Sequence, residues 1–166
     1  MHLNDKIGDF WHSSETMAHI QVSQLIPAGR SEVFEYLTDT HELPFLLSPS
    51  VDVQVLTPEV PIKRGSELHF MMSRLGLSQS VRFRVEDVLR GSRLSYRQVE
   101  GLFSTWTHTI RFEAHGENST LVTDVVDYRV PMGLFGYLAD DLFLKRDMKK
   151  LLEQRLAKAK EHFESA

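Results

Sequence analysis

The feature that most constrains the fold is an alternation of apolar and polar residues through much of residues 51–130. In the segment V-R-F-R-V-E at residues 81–86, every second residue is apolar. A period of two residues predicts strands with one buried and one solvated face. Glycine, proline and asparagine interrupt the alternation at intervals, which is typical of turns. This part of the chain therefore predicts about six antiparallel strands.

A further strand and two short helices are predicted before this segment. The strand covers residues 19–26, and the P-A-G sequence at residues 27–29 ends it. Ser31 is the predicted N-cap of the first helix, because a serine hydroxyl can accept a hydrogen bond from a free amide of the first turn. Pro44 limits the second helix to about one turn.

The C-terminal part of the chain changes to a period of three and four residues, which predicts a long helix with one broad apolar stripe. The stripe consists of Leu144, Met148, Leu151, Leu152, Leu156, Ala159 and Phe163. We expect the helix to begin near residue 136 and to end near Phe163. The Lys, Arg, Asp and Glu residues between the stripe positions predict a solvated outer face.

The predicted architecture is an α+β fold in which a curved antiparallel sheet must cover its apolar face. The long helix is the only predicted element large enough to do so. A straight helix packs imperfectly against a curved sheet, so we expect a cavity between them of roughly 300–1,000 Å³, the usual range of ligand pockets.

The chain has 166 residues, which suggests one domain over residues 19–166 after an N-terminal extension at residues 1–18. A net charge of −4 argues against nucleic-acid binding. The sequence has no cysteine, which excludes disulfides and thiolate catalysis. It contains no targeting segment and no apolar run long enough to span a membrane, so we expect a cytoplasmic protein.

The common catalytic signatures are missing from the sequence. It contains no phosphate-binding loop, no dinucleotide fingerprint, no H-E-x-x-H and no G-x-S-x-G. None of the eight histidines forms a pair at metal-ligand spacing on one predicted element. We therefore expect neither a metal nor a cofactor.

The last predicted hairpin carries the most informative polar residues. If its loop spans residues 115–119, the opposed pairs are Ala114–Thr120, Ile110–Asp124, His108–Val126 and Trp106–Tyr128. These residues share one face, which is the apolar one. His108, Asp124 and Tyr128 then either satisfy one another's hydrogen bonds, orient a polar group of a ligand, or transfer protons. We favour the first two roles, because no nucleophile or metal accompanies them.

Three segments resemble motifs of the START-like, Bet v 1-like (SRPBCC) superfamily, which includes polyketide cyclases and lipid-transfer domains. The sequence K-R-G-S at residues 63–66 resembles K-x-G before a strand. Residues 101–108 resemble G-P-[FY]-x-x-W-x-H, with Leu102 in place of proline, and residues 120–131 resemble T-x-V-x-D-x-V-x-Y-x-x-P. The combination is similar to ligand-binding domains found alone or attached to proteins described as cell-division inhibitors.

This resemblance implies a helix-grip fold, in which a curved antiparallel sheet of about seven strands wraps around the C-terminal helix. It also implies a deep hydrophobic cavity, but no reaction, since the family lacks a shared catalytic set. We favour binding, transport or sensing of a small hydrophobic or amphipathic ligand such as a lipid, an isoprenoid or a polyketide-like molecule. The expected ligand contacts are Phe70, Met72, Phe83, Tyr96, Trp106, His108, Ile110, Asp124, Tyr128 and Leu152.

Two alternatives remain open. The first is a cyclase- or dehydratase-like enzyme, with His108 and Tyr128 as acid–base groups and Asp124 orienting His108. The second is a protein-interaction module with a closed cavity, although the sequence indicates no particular protein partner. A ligand retained through purification would favour binding, whereas a pH-dependent turnover lost in His108→Gln would favour the enzyme. A small, filled interior would favour the interaction module.

Overall fold

A computed structural model describes residues 17–57, 61–131 and 141–166. The elements in chain order are β1 (Ala18–Ile26), α1 (Arg30–Thr38), α2 (Leu43–Leu47), β2 (Asp52–Thr57), β3 (Glu67–Arg74), β4 (Leu77–Leu89), β5 (Arg93–Glu100), β6 (Thr105–Ala114), β7 (Thr120–Arg129) and α3 (Asp141–Glu164). The strands form one seven-stranded antiparallel sheet in the order β1-β7-β6-β5-β4-β3-β2. The predicted α+β, START-like architecture is therefore confirmed.

The alternation of the sequence determines which sheet face is buried. In β4, Val81, Phe83 and Val85 are buried while the residues between them are exposed or half-buried. Side chains two residues apart on a strand point to the same side of the sheet. The buried face is the concave one, against which the helices pack.

The long helix α3 covers this concave face and packs on β1 and α2. Its stripe residues Leu152 and Leu156 are buried, as predicted. Phe163, near the end of the stripe, is half-buried and contacts the ring of Tyr36 at a centroid distance of 5.4 Å. The predicted start of the helix near residue 136 lies outside the described residues.

The structure corrects the predicted start of α1. The predicted cap at Ser31 is wrong, because α1 begins two residues after Ala28 with Gly29 at the N-cap position and no side-chain cap bond. The Gly29 carbonyl accepts the first helical hydrogen bond from Val33 N–H, at 3.0 Å. The predicted extension at residues 1–18 lies outside the described residues except for its end, where Ala18 already belongs to β1.

Within the described ranges, no helix is both long and apolar enough to cross a membrane.

Candidate functional site

A cavity of about 150 Å³ lies between the concave face of the sheet and the helices. Strands β3 to β6 and helix α3 supply most of its apolar wall. The predicted ligand contacts that line it are Phe70, Met72, Phe83, Tyr96, His108, Ile110 and Leu152.

The cavity is smaller than the range expected from the sequence, because aromatic side chains pack inward. The rings of Phe70 and Phe83 lie 6.1 Å apart, and those of Phe83 and Tyr96 lie 5.3 Å apart in an edge-to-face arrangement. A dry cavity of about 150 Å³ holds a molecule the size of one aromatic ring. The structure therefore combines an apolar pocket with tight aromatic packing.

Tyr96, His108 and Asp124 form a chain of hydrogen bonds that ends at the cavity. The Tyr96 hydroxyl lies 2.5 Å from His108 Nδ1, and His108 Nε2 lies 3.0 Å from Asp124 Oδ1. A ring with its proton on Nε2 satisfies both contacts, since it donates to the carboxylate and accepts from the phenol. His108 is 3% exposed and Asp124 is fully buried. The predicted proximity of His108 and Asp124 is thus confirmed.

Arg155 of α3 completes this cluster from the helix that covers the sheet. Its Nη1 donates to Asp124 Oδ2 at 2.8 Å, and its Nη2 donates to the Leu37 carbonyl at 3.1 Å. The guanidinium therefore ties α3 to both β7 and α1. With 3% exposure, Arg155 is a buried charge, so the predicted solvated outer face is wrong at this position.

The sequence contained a pattern that could have identified Arg155. It lies three residues after Leu152 and four before Ala159, which places it on the apolar stripe of α3. A cation on such a stripe points into the core, where it needs an anionic partner. Asp124 on the buried face of β7 is that partner.

The cluster sets the charge states of its members. Burial alone would raise the pKa of the Asp124 carboxyl, but the positive charge of Arg155 and the hydrogen bonds from His108 and Arg155 outweigh burial and lower that pKa. Burial raises the pKa of the Tyr96 phenol well above its usual value, although Arg155 opposes this effect. Tyr96 therefore keeps its proton at neutral pH, and its hydroxyl can donate a hydrogen bond to His108.

The predicted register of β6 and β7 is confirmed, including the pairs His108–Val126 and Trp106–Tyr128. Trp106 and Tyr128, however, pack together with Phe103 and do not line the cavity; the ring centroids of Trp106 and Tyr128 lie 5.9 Å apart. Asp124 also lies behind the cavity wall. The phenol hydrogen-bonded to His108 is Tyr96, because Tyr96 is its direct cross-strand partner on β5.

Thr40 adds one more polar group to the cavity wall. This residue is 5% exposed and lines the cavity. Its hydroxyl has no hydrogen-bond partner among the residues that the structure describes. A hydroxyl can both donate and accept, so Thr40 is available to a bound molecule.

No three His, Asp or Glu side chains within residues 17–57, 61–131 and 141–166 are grouped so that they could hold a metal ion. The buried carboxylate of Asp124 is already occupied by Arg155 and His108.

Several proteins of known structure have a fold similar to that of this chain. The protein TTHA0849 from Thermus thermophilus is 19% identical, with a TM-score of 0.72 over 89% of this chain and 98% of that chain. A START superfamily protein from Mycobacterium smegmatis is 17% identical, with a TM-score of 0.68 over 89% of this chain and 97% of the other. The Zhui aromatase/cyclase from Streptomyces sp. R1128 is 16% identical, with a TM-score of 0.68 over 90% of this chain and 94% of the enzyme.

These identities establish similarity of fold alone. No curated protein matches the sequence. The sequence profile of the family described as "Polyketide cyclase / dehydrase and lipid transport" matches residues 17–164, nearly the whole chain. The chain therefore belongs to this polyketide cyclase/dehydrase and lipid transport family.

Proposed function

We propose that this protein binds a small, neutral, mainly apolar molecule with a hydroxyl group at one end. The observation that carries the proposal is the uneven distribution of apolar and polar groups on the wall of the cavity. Its sides are apolar, while Tyr96, His108, Arg155 and the unpaired Thr40 hydroxyl contribute polar atoms. Ligand pockets commonly have this composition, in which apolar contacts give affinity and a few polar groups fix orientation.

The charges around the cavity favour a neutral ligand over an anion. Arg155 is the one cation among the described residues of its wall, and Asp124 and the Leu37 carbonyl already occupy its guanidinium. A carboxylate would have to displace Asp124 or lie buried without a free counter-charge, and burial of an unpaired charge is very costly. The cluster thus holds a cation that is not available to an anionic ligand.

The hydrogen-bonding capacity of the wall favours a hydroxyl group. Because the Tyr96 hydroxyl donates a hydrogen bond to His108, its oxygen keeps lone pairs for a donor on the ligand. Thr40, on the wall of the same cavity, offers a second hydroxyl that can donate or accept a hydrogen bond. A cavity of about 150 Å³ suits a single ring, and a larger ring system would require the cavity to widen.

The test compares two ring compounds of similar size, p-cresol and p-toluate, by isothermal titration calorimetry. We expect p-cresol to bind and p-toluate to bind at least tenfold more weakly, a difference of about 1.4 kcal/mol. Thr40→Val, which keeps the shape of the side chain, should weaken the binding of p-cresol. Tighter binding of p-toluate would contradict the preference for neutral ligands. Absence of binding by both compounds, with no ligand retained in native mass spectrometry of purified protein, would contradict the proposal.

A second candidate function is proton-transfer catalysis of the cyclase or dehydratase kind. The observation that favours it is the chain from Tyr96 through His108 to Asp124, which leads from the cavity to a buried carboxylate. Such a chain positions an acid–base group and stabilises its charged form. In this version Tyr96 takes the position beside His108 that the sequence had suggested for Tyr128.

Exchange of a ligand's hydrogens for deuterium distinguishes the two functions. The methyl hydrogens of acetophenone exchange in D2O when a base removes a proton, and NMR follows their loss. Catalysed exchange that disappears in His108→Gln, while binding of p-cresol remains, would favour the enzyme. Exchange at the uncatalysed rate with intact binding would favour the binding function.

A further inference from the structure

The turn between β3 and β4 projects beyond its neighbour β5. The pairing of β4 with β5 begins at Arg82 and Glu100, whereas β4 pairs with β3 back to Leu77. Residues 77–81 and the turn at residues 75–76 therefore extend past the end of β5 by about 16 Å, at 3.3 Å per residue. This hairpin forms one extremity of the sheet.

The start of α3 lies at the same extremity. Arg74, the last residue of β3, forms two contacts with the Asp147 carboxylate, at 2.5 and 2.7 Å. Leu152 lines the cavity, whereas Asp147 contacts Arg74 at the turn end of β3. From Leu152 back to Asp147, helix α3 therefore runs along β3 toward the turn. Phe143 lies one helical turn beyond Asp147 on the same face of α3.

Several large apolar side chains are exposed here, and we call the three most exposed of them the apolar tip: Leu75, Leu77 and Phe143. Their exposed fractions are 90%, 74% and 66%. Leu77 is the direct partner of Arg74 on the adjacent strand, so it flanks the Arg74–Asp147 pair. At the opposite end of the sheet, the turn between β6 and β7 has the polar sequence H-G-E-N-S at residues 115–119.

Leu75 occupies a turn position whose backbone conformation is unfavourable for leucine. Its φ is 51° and that of Gly76 is 79°, so both central residues of the turn adopt the left-handed region. Turns of this kind favour Asn, Asp or Gly, and a leucine there is strained. At 90% exposure the side chain gains almost no packing in return. Leu75 therefore does not stabilise the isolated protein.

Two exposed basic residues of α3 lie on the same face as Phe143. Arg146 and Lys150 are three and seven residues after Phe143, whereas the exposed residues Lys145 and Lys149 lie on the far side of the helix. Nearby, Asp147 is paired with Arg74, and Glu153 is paired with Lys149 at 3.6 Å. This surface is therefore positive, although the whole chain has a net charge of −4.

We propose that the apolar tip inserts into the surface of a bilayer that contains anionic phospholipids. Such a surface offers negative headgroups above an apolar layer, which complements cations that flank protruding apolar side chains. Lysine is depleted in the cores of protein–protein interfaces, so Lys150 beside the tip favours lipid over a protein partner. A fluid bilayer also accepts isolated apolar side chains without matching their shape. This role is separate from the ligand proposed for the cavity.

The test measures sedimentation of the protein with vesicles of phosphatidylcholine alone or mixed with phosphatidylserine. We expect binding to the mixed vesicles that weakens as salt is added, because salt screens the headgroup charge. Leu75→Asn and Phe143→Gln should each weaken this binding about tenfold or more, since burial of one large apolar side chain is lost. Lys150→Gln should weaken it about fivefold.

Leu89→Gln is the matched control, because Leu89 is 56% exposed but lies at the end of β4 away from the tip. Its binding to mixed vesicles should equal that of the wild type. Leu75→Asn should melt at or above the wild-type temperature, which shows that the lost binding is not a loss of folding. No binding to either vesicle, or wild-type binding by Leu75→Asn, would overturn the proposal. A dimer in analytical ultracentrifugation that Leu75→Asn dissociates would also overturn it, since the tip would then contact a second copy.

Discussion

Asp124 and Arg155 determine the stability of the buried cluster. Both are almost completely removed from water, and their mutual contact at 2.8 Å offsets the cost of burial. Arg155→Met should destabilise the protein by about 3–5 kcal/mol, because it leaves the Asp124 carboxylate with His108 as its remaining side-chain partner. Urea denaturation measures this loss.

A second variant shows whether the loss arises from the unpaired charge. Addition of Asp124→Asn to Arg155→Met should cost much less than the sum of the two single effects, since no buried charge remains unpaired. Additive effects would mean that the two side chains do not interact in solution as they do in the structure.

The lowered pKa of Asp124 predicts a dependence of stability on pH. In the unfolded chain this carboxyl titrates near pH 4, while in the folded protein it stays ionised to lower pH. Its contribution to stability is therefore fully present above about pH 4 and is lost as the pH falls through the folded pKa. The difference in unfolding free energy between wild type and Asp124→Asn should shrink in that acid range.

Glu67 provides the control for this titration. Its pKa is also lowered, chiefly by the hydrogen bond from Arg84, but it is exposed to solvent. Glu67→Gln should therefore change stability little at any pH, because exposed ion pairs are weak. A pH dependence of the same size in Glu67→Gln would show that the effect is not specific to the buried cluster.

At the scale of the element, α3 is held by the part of its stripe that meets the sheet. Leu156 is 1% exposed, so Leu156→Ala should cost about 2–5 kcal/mol of unfolding free energy. Glu153→Ala on the exposed side of the same helix should change stability by about 0.5 kcal/mol or less. Similar losses in the two variants would show that α3 does not pack on the sheet through its apolar stripe.

At the scale of the whole molecule, we expect that the cavity can be filled without disturbing the fold. Leu94 is buried and lines the cavity, so in Leu94→Phe the larger side chain should occupy that empty space. We expect less than about 1 kcal/mol of change in stability together with loss of p-cresol binding. Thermal unfolding and calorimetry measure the two effects.

Val126→Leu is the comparison, because Val126 is fully buried but does not line the cavity. The added methylene has no space there and should destabilise by about 1–3 kcal/mol, while binding is retained. If Leu94→Phe is the more destabilising variant, the interior is filled and the interaction-module alternative gains support.

Much of the architecture followed from local patterns in the sequence. Alternation predicted the strands, and the spacing of Leu152 and Leu156 predicted the buried side of α3, because burial depends on the period of each element. The short loop at residues 115–119 fixed the register of β6 and β7, since a slip by one residue would turn every side chain to the other face. That register brought His108 beside Asp124 in the prediction as in the structure.

The sequence by itself thus determined the elements, the last hairpin and one half of the polar cluster. The other half was decided by tertiary structure, because Arg155 meets Asp124 and the Leu37 carbonyl across sequence separations of 31 and 118 residues. Tyr96 takes the place of Tyr128 beside His108 because β5 pairs with β6 only as far as Arg97 and Thr107, so residues 98–106 contain no tight turn from which this register could be predicted. The cavity volume was also beyond sequence patterns, since it is the small space left after large aromatic side chains have packed against one another.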